Sequence, residues 1–406
     1  MAGACGMGVG GCGRHCAAGA LSRILVAVIQ SVYEIVAEVI GRTGKDKSAD
    51  AALRDVLKPI RDLAPFDVTA VAKTVFIYYR WHGWLRDERG LEARIRLALR
   101  LDERFRLDPM SIPPSELRAG AVPAWTAECL DLSDEWLRSL QREPKLWLRA
   151  KRGQAGRLAE KLIGAEISPL FPEALLYRGG KDLYKTPEFH AGEFEIQDLS
   201  SQMVGRLCAA APGETWWDTC AGEGGKTLLL SDLMQNKGMI WASDRAHWRL
   251  KILKRRAARA QMFNYRSAAW DGGEKPPVRT KFDGVLVDAP CSGIGTWQRD
   301  PYSRWTASMN DVLELSVIQR NLLAHVAPSV KPGGKLIYSV CTVSRAETTE
   351  TVEMFNASQP DFEPLVFPDI QFNQRSICGV SSVTIWPSDL DANGMFIAGW
   401  RRKKGS

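Results

Sequence analysis

Two cysteines fifty residues apart are the side chains best equipped for chemistry here: Cys291 in Asp288-Ala289-Pro290-Cys291-Ser292-Gly293, and Cys341 in Tyr338-Ser339-Val340-Cys341-Thr342. Each follows a short apolar run, Phe282 to Val287 and Lys335 to Tyr338, that reads as a buried parallel strand. Both thiols are thus expected at strand carboxyl ends, the edge where open α/β sheets bind their ligands. A thiolate there answers a specific chemical need. C5 of a cytosine or uracil is too weak a nucleophile to take a methyl group from a sulfonium until a thiolate has added at C6; afterwards a base must remove the C5 proton and the sulfur must leave. The target base must also be out of its stack, as in a single-stranded loop or an extruded nucleotide. A free cysteine is commonly just a small buried hydrophobe. The Pro-Cys-Ser-Gly turn behind an acid-terminated strand sets Cys291 apart from that background. Spacing does not decide which thiol attacks.

The methyl donor has its own candidate site. Trp216, Trp217 and Asp218 end an expected strand, and Gly222, Gly224 and Gly225 turn the chain tightly into a helix beginning near Lys226, whose first amides would face a nucleotide-like ligand. A second strand, Met239 to Asp244, ends in an acid at about twenty residues' distance, where a carboxylate accepts both hydroxyls of a ribose. After a long basic helix, Ala246 to Met262, Trp270-Asp271 ends a third strand, and Asp271 could accept a hydrogen bond from an adenine amino group. Asp244 or Asp271 alone would pass for a helix cap. Together these parts point to methyl transfer from S-adenosylmethionine to a carbon of a nucleic-acid base. A nearby sulfonium and Lys226 would lower a catalytic thiol's pKa; moving it from ~8.5 to ~7 takes about 2 kcal/mol of differential stabilisation.

The elements that must position these groups fall into segments. With 406 residues, 45% of them apolar and 25% charged, the chain can bury ordinary cores in two or three domains. Residues 1–135 carry 18 basic and 18 acidic side chains, so the net charge of +7 arises beyond Glu135. The acid-free stretch from Lys145 to Arg157, with Lys145, Arg149, Lys151, Arg152 and Arg157, has the charge expected of a phosphate-backbone binder and equally of a solvated helix face. Residues 1–19, with Cys5, Cys12, His15 and Cys16, read as a disordered leader rather than a metal site. From 20 to 110 the pattern is helical, over Ala20 to Ile40, Ala51 to Leu63, Val68 to Leu85 and Gly90 to Leu101. Arg23, Gln30 and Glu34 interrupt the first of these, which reads as an amphipathic core helix and not a membrane span. Proline and glycine mark 111–132 as a linker, 133–195 as a small α+β module, and 196–406 as a doubly wound α/β domain. Nine cysteines with no pairing pattern in a chain this long fit a reducing, cytoplasmic setting.

At these motifs the sequence resembles the NOL/NOP/Sun family of RNA cytosine-5 methyltransferases, and within it the bacterial RsmB/Fmu-type 16S rRNA enzymes. Ile196 to Gln202 looks like the family's QDeaSQ segment, and Asp218 to Thr227 is similar to its DlCAaPGGKT loop, with Gly222-Glu223 in place of Ala-Pro. Asp288 to Trp305 matches DaPCSGlGtlrrnPdikW almost throughout. Tyr338 to Thr342 looks like YsTCS with Val340 for Thr; Glu347-Thr348-Thr349 stands where Glu-Asn-Glu is usual; and Asn393 to Ala398 resembles the closing DGFFiA. The resemblance implies a Rossmann-like class I methyltransferase domain, a mostly parallel seven-stranded sheet with an antiparallel C-terminal strand. An RRM-like module and a NusB-like helical region would precede it. It further implies Cys341 as nucleophile, Cys291 as the group assisting elimination, Asp288 on the base edge, and Lys226 beside cofactor and base. Cys220, Ala221, Gly222, Glu223, Gly224 and Gly225, with Lys226, Asp244, Arg249, Asp271 and Asp288, would hold S-adenosylmethionine, and Arg149 and Lys151 would grip phosphates. The expected partner is 16S rRNA, bound by a monomer without metal or membrane. The alternatives are tRNA or DNA cytosine as acceptor, or a non-catalytic RNA-binding scaffold.

Overall fold

In the computed structural model, residues 32–60, 65–372 and 375–405 are described, so the cysteine-bearing leader and the start of the first expected helix lie outside the described residues. The chain divides into two units, Met1–Ser111 and Ile112–Ser406. Among the described residues no helix is long and apolar enough to cross a membrane.

The first unit is helical, over residues 32–41, Ala49–Leu57, Pro65–Arg80 and Leu91–Leu107. Val36, Val39, Val56, Val71, Val75, Ile95 and Phe105 are buried, as spacings of three and four along helices require. Asp102, also buried, pairs with Arg80 at 3.5 Å and accepts the Trp81 indole N–H at 3.4 Å. The last helix runs past the expected Leu101 because nothing stops it before Pro109.

Of the expected linker, 111–132, residues 112–132 begin the second unit and are structured. They form helices Pro114–Gly120 and Thr126–Cys129 and bury Leu117, Ala121, Cys129 and Leu130. Pro114 sits in the first turn of its helix, where a missing N–H costs nothing.

The small module is a four-stranded antiparallel sheet of β1 (Leu146–Ala150), β2 (Ala165–Ile167), β3 (Ala174–Tyr177) and β4 (Phe194–Ile196), in the order β2-β3-β1-β4. The helix Ala155–Lys161 follows β1. Leu148, Leu158, Leu175, Tyr177 and Phe194 form its core.

The larger sheet contains β5 (Thr215–Asp218), β6 (Met239–Asp244), β7 (Tyr265–Ala269), β8 (Phe282–Asp288), β9 (Val330–Val340), β10 (Phe362–Pro364), β13 (Ser382–Ile385) and β14 (Met395–Arg402). Between β10 and β13, a separate hairpin comprises β11 (Ile370–Phe372) and β12 (Arg375–Ile377). The order is β10-β14-β9-β8-β5-β6-β7; β5 to β9 are mutually parallel and β14 is antiparallel to β9. The sheet has eight strands rather than seven, because β10 and β13 both pair with β14, at Trp400–Arg402 and Met395–Ala398 respectively. Two apolar cores cover its faces: Leu228, Ile240, Leu253 and Ile337 on one, Trp217, Val287, Tyr338 and Trp400 on the other. The strand order reverses between β5 and β8, which makes the carboxyl ends of those strands the natural ligand crevice.

Candidate active site

From the carboxyl end of β5, Thr219 to Gly224 loop into the helix Gly225–Leu233. Gly224 has φ of +89°, and a Cβ there would meet the Leu253 side chain at 2.8 Å, so the turn admits only glycine. Asp244, at the end of β6, accepts the Gly222 N–H at 2.9 Å and thereby fixes the loop.

The two thiol loops leave β8 and β9, which pair in parallel with Asp288 opposite Ser339. The Ser339 hydroxyl donates to Asp288 Oδ1 at 2.8 Å, and Lys226 Nζ donates to Asp288 Oδ2 at 2.7 Å. This register places the sulfurs of Cys291 and Cys341 at 3.3 Å. Glu347 holds the loops together from beneath. It is fully buried, and its Oε1 accepts the Ser292 N–H at 2.8 Å and the Gln319 amide at 3.0 Å. Its Oε2 accepts the hydroxyls of Ser292, Thr342 and Ser344. The Gly295 N–H donates to the Cys341 carbonyl at 3.1 Å and the Gly394 N–H to the Gly295 carbonyl at 2.7 Å. A Cβ on Gly295 would lie 2.2 Å from the Gly394 carbonyl oxygen, so backbone touches backbone. Helices at 114–129 brace the same loops: Arg304 donates to the Ala121 carbonyl, and the Arg345 N–H to that of Cys129.

These groups face a cavity of about 490 Å³. Of the residues singled out from sequence, Cys220, Ala221, Gly222, Glu223, Gly225, Lys226, Asp244, Arg249, Asp271, Asp288, Cys291 and Cys341 line it; Gly224 shapes the loop from behind. Asp218, Ser201, Arg245 and Trp270 also line it. The cavity role of Asp218 was missed, although its place before the glycine-rich turn could have signalled it. Its Oδ2 accepts the Thr227 hydroxyl at 2.6 Å, while Oδ1, equally buried, finds no hydrogen-bond partner among the described residues. An orphaned buried carboxylate oxygen fits a cationic ligand group such as the ammonium of an amino-acid moiety. Burial pushes Asp218 up to about 7.

Electrostatics separates the thiols. A hydrogen bond from Cys291 holds the Cys341 thiol below its ordinary value against burial and the Asp288 charge, with Lys226 helping. The same bond and burial hold Cys291 well above it. Of the two thiols Cys341 has the lower pKa, and its neighbour thiol contributes more to that than the lysine expected to do so. Burial would lower Lys226, but Asp288 overcompensates and raises it, so the lysine stays charged. Burial pushes Cys220, the third thiol at the cavity, up to about 12.

The basic stretch is only partly a surface. Arg149 is buried on β1; its Nε donates to Gln197 Oε1 at 2.7 Å and its Nη1 pairs with Asp232, so it is not available to phosphate. Gln197 in turn donates to the Gly225 carbonyl, so the Ile196 to Gln202 motif ties the small sheet to the cofactor loop. Lys145 pairs with Asp391 and Lys151 with Gln261, while Arg152 and Arg157 remain exposed.

Residues 206–401 match the family "16S rRNA methyltransferase RsmB/F". The "Probable ribosomal RNA small subunit methyltransferase B" of Synechocystis sp. is 36% identical over 257 residues, covering 61% of this chain and 56% of that protein. Its Bacillus subtilis namesake is 33% identical over 270 residues, covering 64% and 60%. The chain therefore spans less than two thirds of the length of these curated relatives. The crystal structure of PH0851 shares the fold, with a TM-score of 0.73 at 23% identity over 92% of this chain and 98% of that one.

Proposed function

From the premise that residues 206–401 form an RsmB/F-family methyltransferase domain of class I α/β fold, we propose that this chain methylates C5 of a cytosine in small-subunit rRNA. The donor is S-adenosylmethionine and the route is a covalent bond between Cys341 and C6. The observation that carries the reading is the pair of sulfurs at 3.3 Å with opposed proton affinities, at the mouth of a cavity that also holds the glycine-rich loop.

The residues divide the work as follows. Bound S-adenosylmethionine supplies an electrophilic methyl group on a positively charged sulfur. The loop from Cys220 to Gly225 with Asp244, Arg249 and Asp271 would seat it, and Asp218 Oδ1 would take its ammonium. Cys341, as thiolate, forms a bond to C6 and pushes the electron pair of the C5–C6 double bond onto C5, which accepts the methyl. Lys226 and Asp288, locked as an ion pair, would hold the polar edge of the base. A base takes the C5 proton, the C5–H electron pair re-forms the C5–C6 double bond, and the C6–S pair returns to sulfur as Cys341 departs. Cys291, protonated at neutral pH and in contact with Cys341, stands where the departing thiolate needs a hydrogen-bond donor.

The test is a denaturing gel of protein incubated with unmodified 16S rRNA and labelled S-adenosylmethionine. Cys341→Ala should give neither methylation nor adduct, and Cys291→Ala a slow enzyme that accumulates a covalent adduct. An adduct in Cys341→Ala exchanges the two roles. Label on tRNA or duplex DNA instead redirects the substrate.

A further inference from the structure

The charge at Lys145 to Arg157 being partly consumed, the densest uncommitted charge lies elsewhere. Residues 245–270 contain eight lysines and arginines and no acid, and the helix His247–Ala260 runs through them. Beside it a depression of about 680 Å³ is lined by Arg255, Arg256, Arg259 and Arg299 together with Tyr184 and Phe189. Two of these arginines are occupied: Arg256 and Arg259 both pair with buried Glu195, at 2.9 and 2.6 Å, and the Arg259 guanidinium lies 3.8 Å over the Phe189 ring. Arg255 and Arg299 are exposed and make no side-chain hydrogen bond or ion pair among the described residues. Tyr184, 61% exposed, packs edge-on against Phe189 at 5.0 Å between centroids, which fixes its ring as an open platform. Glu223 lines this depression as well as the cavity with the two thiols, so the groove begins where the active site opens.

Exposed guanidinium groups with no hydrogen bond or ion pair of their own among the described residues, although Arg299 also favours the charged form of buried Asp198, and an anchored exposed aromatic ring are what single-stranded nucleic acid requires: phosphates take the cations and a base takes the ring. We propose that this groove holds the single-stranded RNA flanking the target cytosine, with phosphates on Arg255 and Arg299 and one base stacked on Tyr184. The proposal rests on the RNA methyltransferase reading above, and adds the path by which the strand reaches Cys341.

The test uses the full chain and a labelled oligoribonucleotide of 16S rRNA sequence with one unmodified target cytosine. Arg255→Ala/Arg299→Ala should weaken binding at least about tenfold and flatten the slope of log affinity against log salt by roughly 1.4, two phosphates at ~0.7 each. Tyr184→Ala should cost about five- to a hundredfold in affinity with the salt slope of wild type. In turnover, both losses should fall on KM for RNA and leave the cofactor Kd as in wild type. Wild-type affinity and salt slope in the double variant overturn the proposal, as does a larger loss in Arg152→Ala/Arg157→Ala, which would return the strand to the small sheet. Failure of the wild-type chain to methylate RNA that it binds in this groove would refute the function reading instead, so the two failures are distinct.

Discussion

Removing the Cys291 sulfur should make its neighbour a worse nucleophile before any substrate is present. The Cys341 pKa is held below its ordinary value chiefly by the hydrogen bond from Cys291 at 3.3 Å, while burial and Asp288 oppose ionisation. A hydrogen bond to a charged group is worth about 1.5–3 kcal/mol, which at about 1.4 kcal/mol per pH unit predicts a rise of roughly 1–2 units in the Cys341 pKa of Cys291→Ala. The sign follows from the donor's role: deleting it destabilises only the anion. Alkylation by iodoacetamide across pH, quantified cysteine by cysteine through peptide mass spectrometry, reads this directly. Cys341 of the wild type should react at the lowest pH of the described cysteines, since burial holds Cys129 at about 11 and Cys220 at about 12. In Cys291→Ala its midpoint should move up and its rate near neutrality fall about ten- to a hundredfold. Cys291→Ser, which keeps a donor, should restore part of the difference. An unchanged or lowered midpoint in Cys291→Ala would refute the argument.

Two further substitutions probe the supports of the site. Glu347→Ala strands two buried N–H donors, those of Ser292 and Gln319, at ~1–3 kcal/mol each, so urea unfolding should show a loss of about 4 kcal/mol together with lost methylation. Glu347→Gln should retain most stability, because its oxygen can serve both N–H groups while two of the three hydroxyls of Ser292, Thr342 and Ser344 turn to accept its two amide hydrogens; a variant Glu347→Ala as stable as wild type contradicts this. Asp218, at about 7 when folded against 3.8 ordinarily, binds its proton more tightly in the folded state. Its contribution is therefore present below pH ~4 and lost as pH rises to ~7, by ~1.4 kcal/mol per unit. Asp218→Asn should remove that part of the slope in urea unfolding between pH 4.5 and 7.5 and weaken cofactor binding; a slope equal to wild type would count against it.

The placement of the two thiol turns was legible because each follows a short apolar run, Phe282 to Val287 and Lys335 to Tyr338, that ends a strand of the large sheet. The parallel strands β5, β6 and β8 were readable as largely apolar runs closed by an acid, whereas only the apolar second half of β9 was, its first half, Val330 to Gly334, being interrupted by lysine, proline and glycine. Arg149 was misread because local sequence reveals charge but not its partner. Asp232 lies 83 residues away, and only the docking of the small sheet brings it within reach. Tertiary packing hid the helices at 114–129 in the same way: prolines that punctuate a linker also begin helices. The extra strand at the edge of the large sheet went unseen because Ser382 to Ile385 is short and only partly buried.

The contact of Gly295 with Gly394 sets an order of events in the life of the chain. The loop bearing Cys291 is seated on a segment that lies 99 residues further along, the difference between 394 and 295. On the ribosome both thiols leave the exit tunnel before the glycine that seats them. A nascent polypeptide halted short of Gly394 lacks the backbone hydrogen bond that seats the Cys291 loop at Gly295. The seating of the Cys291 loop thus comes late, with the segment that leads into the closing strand.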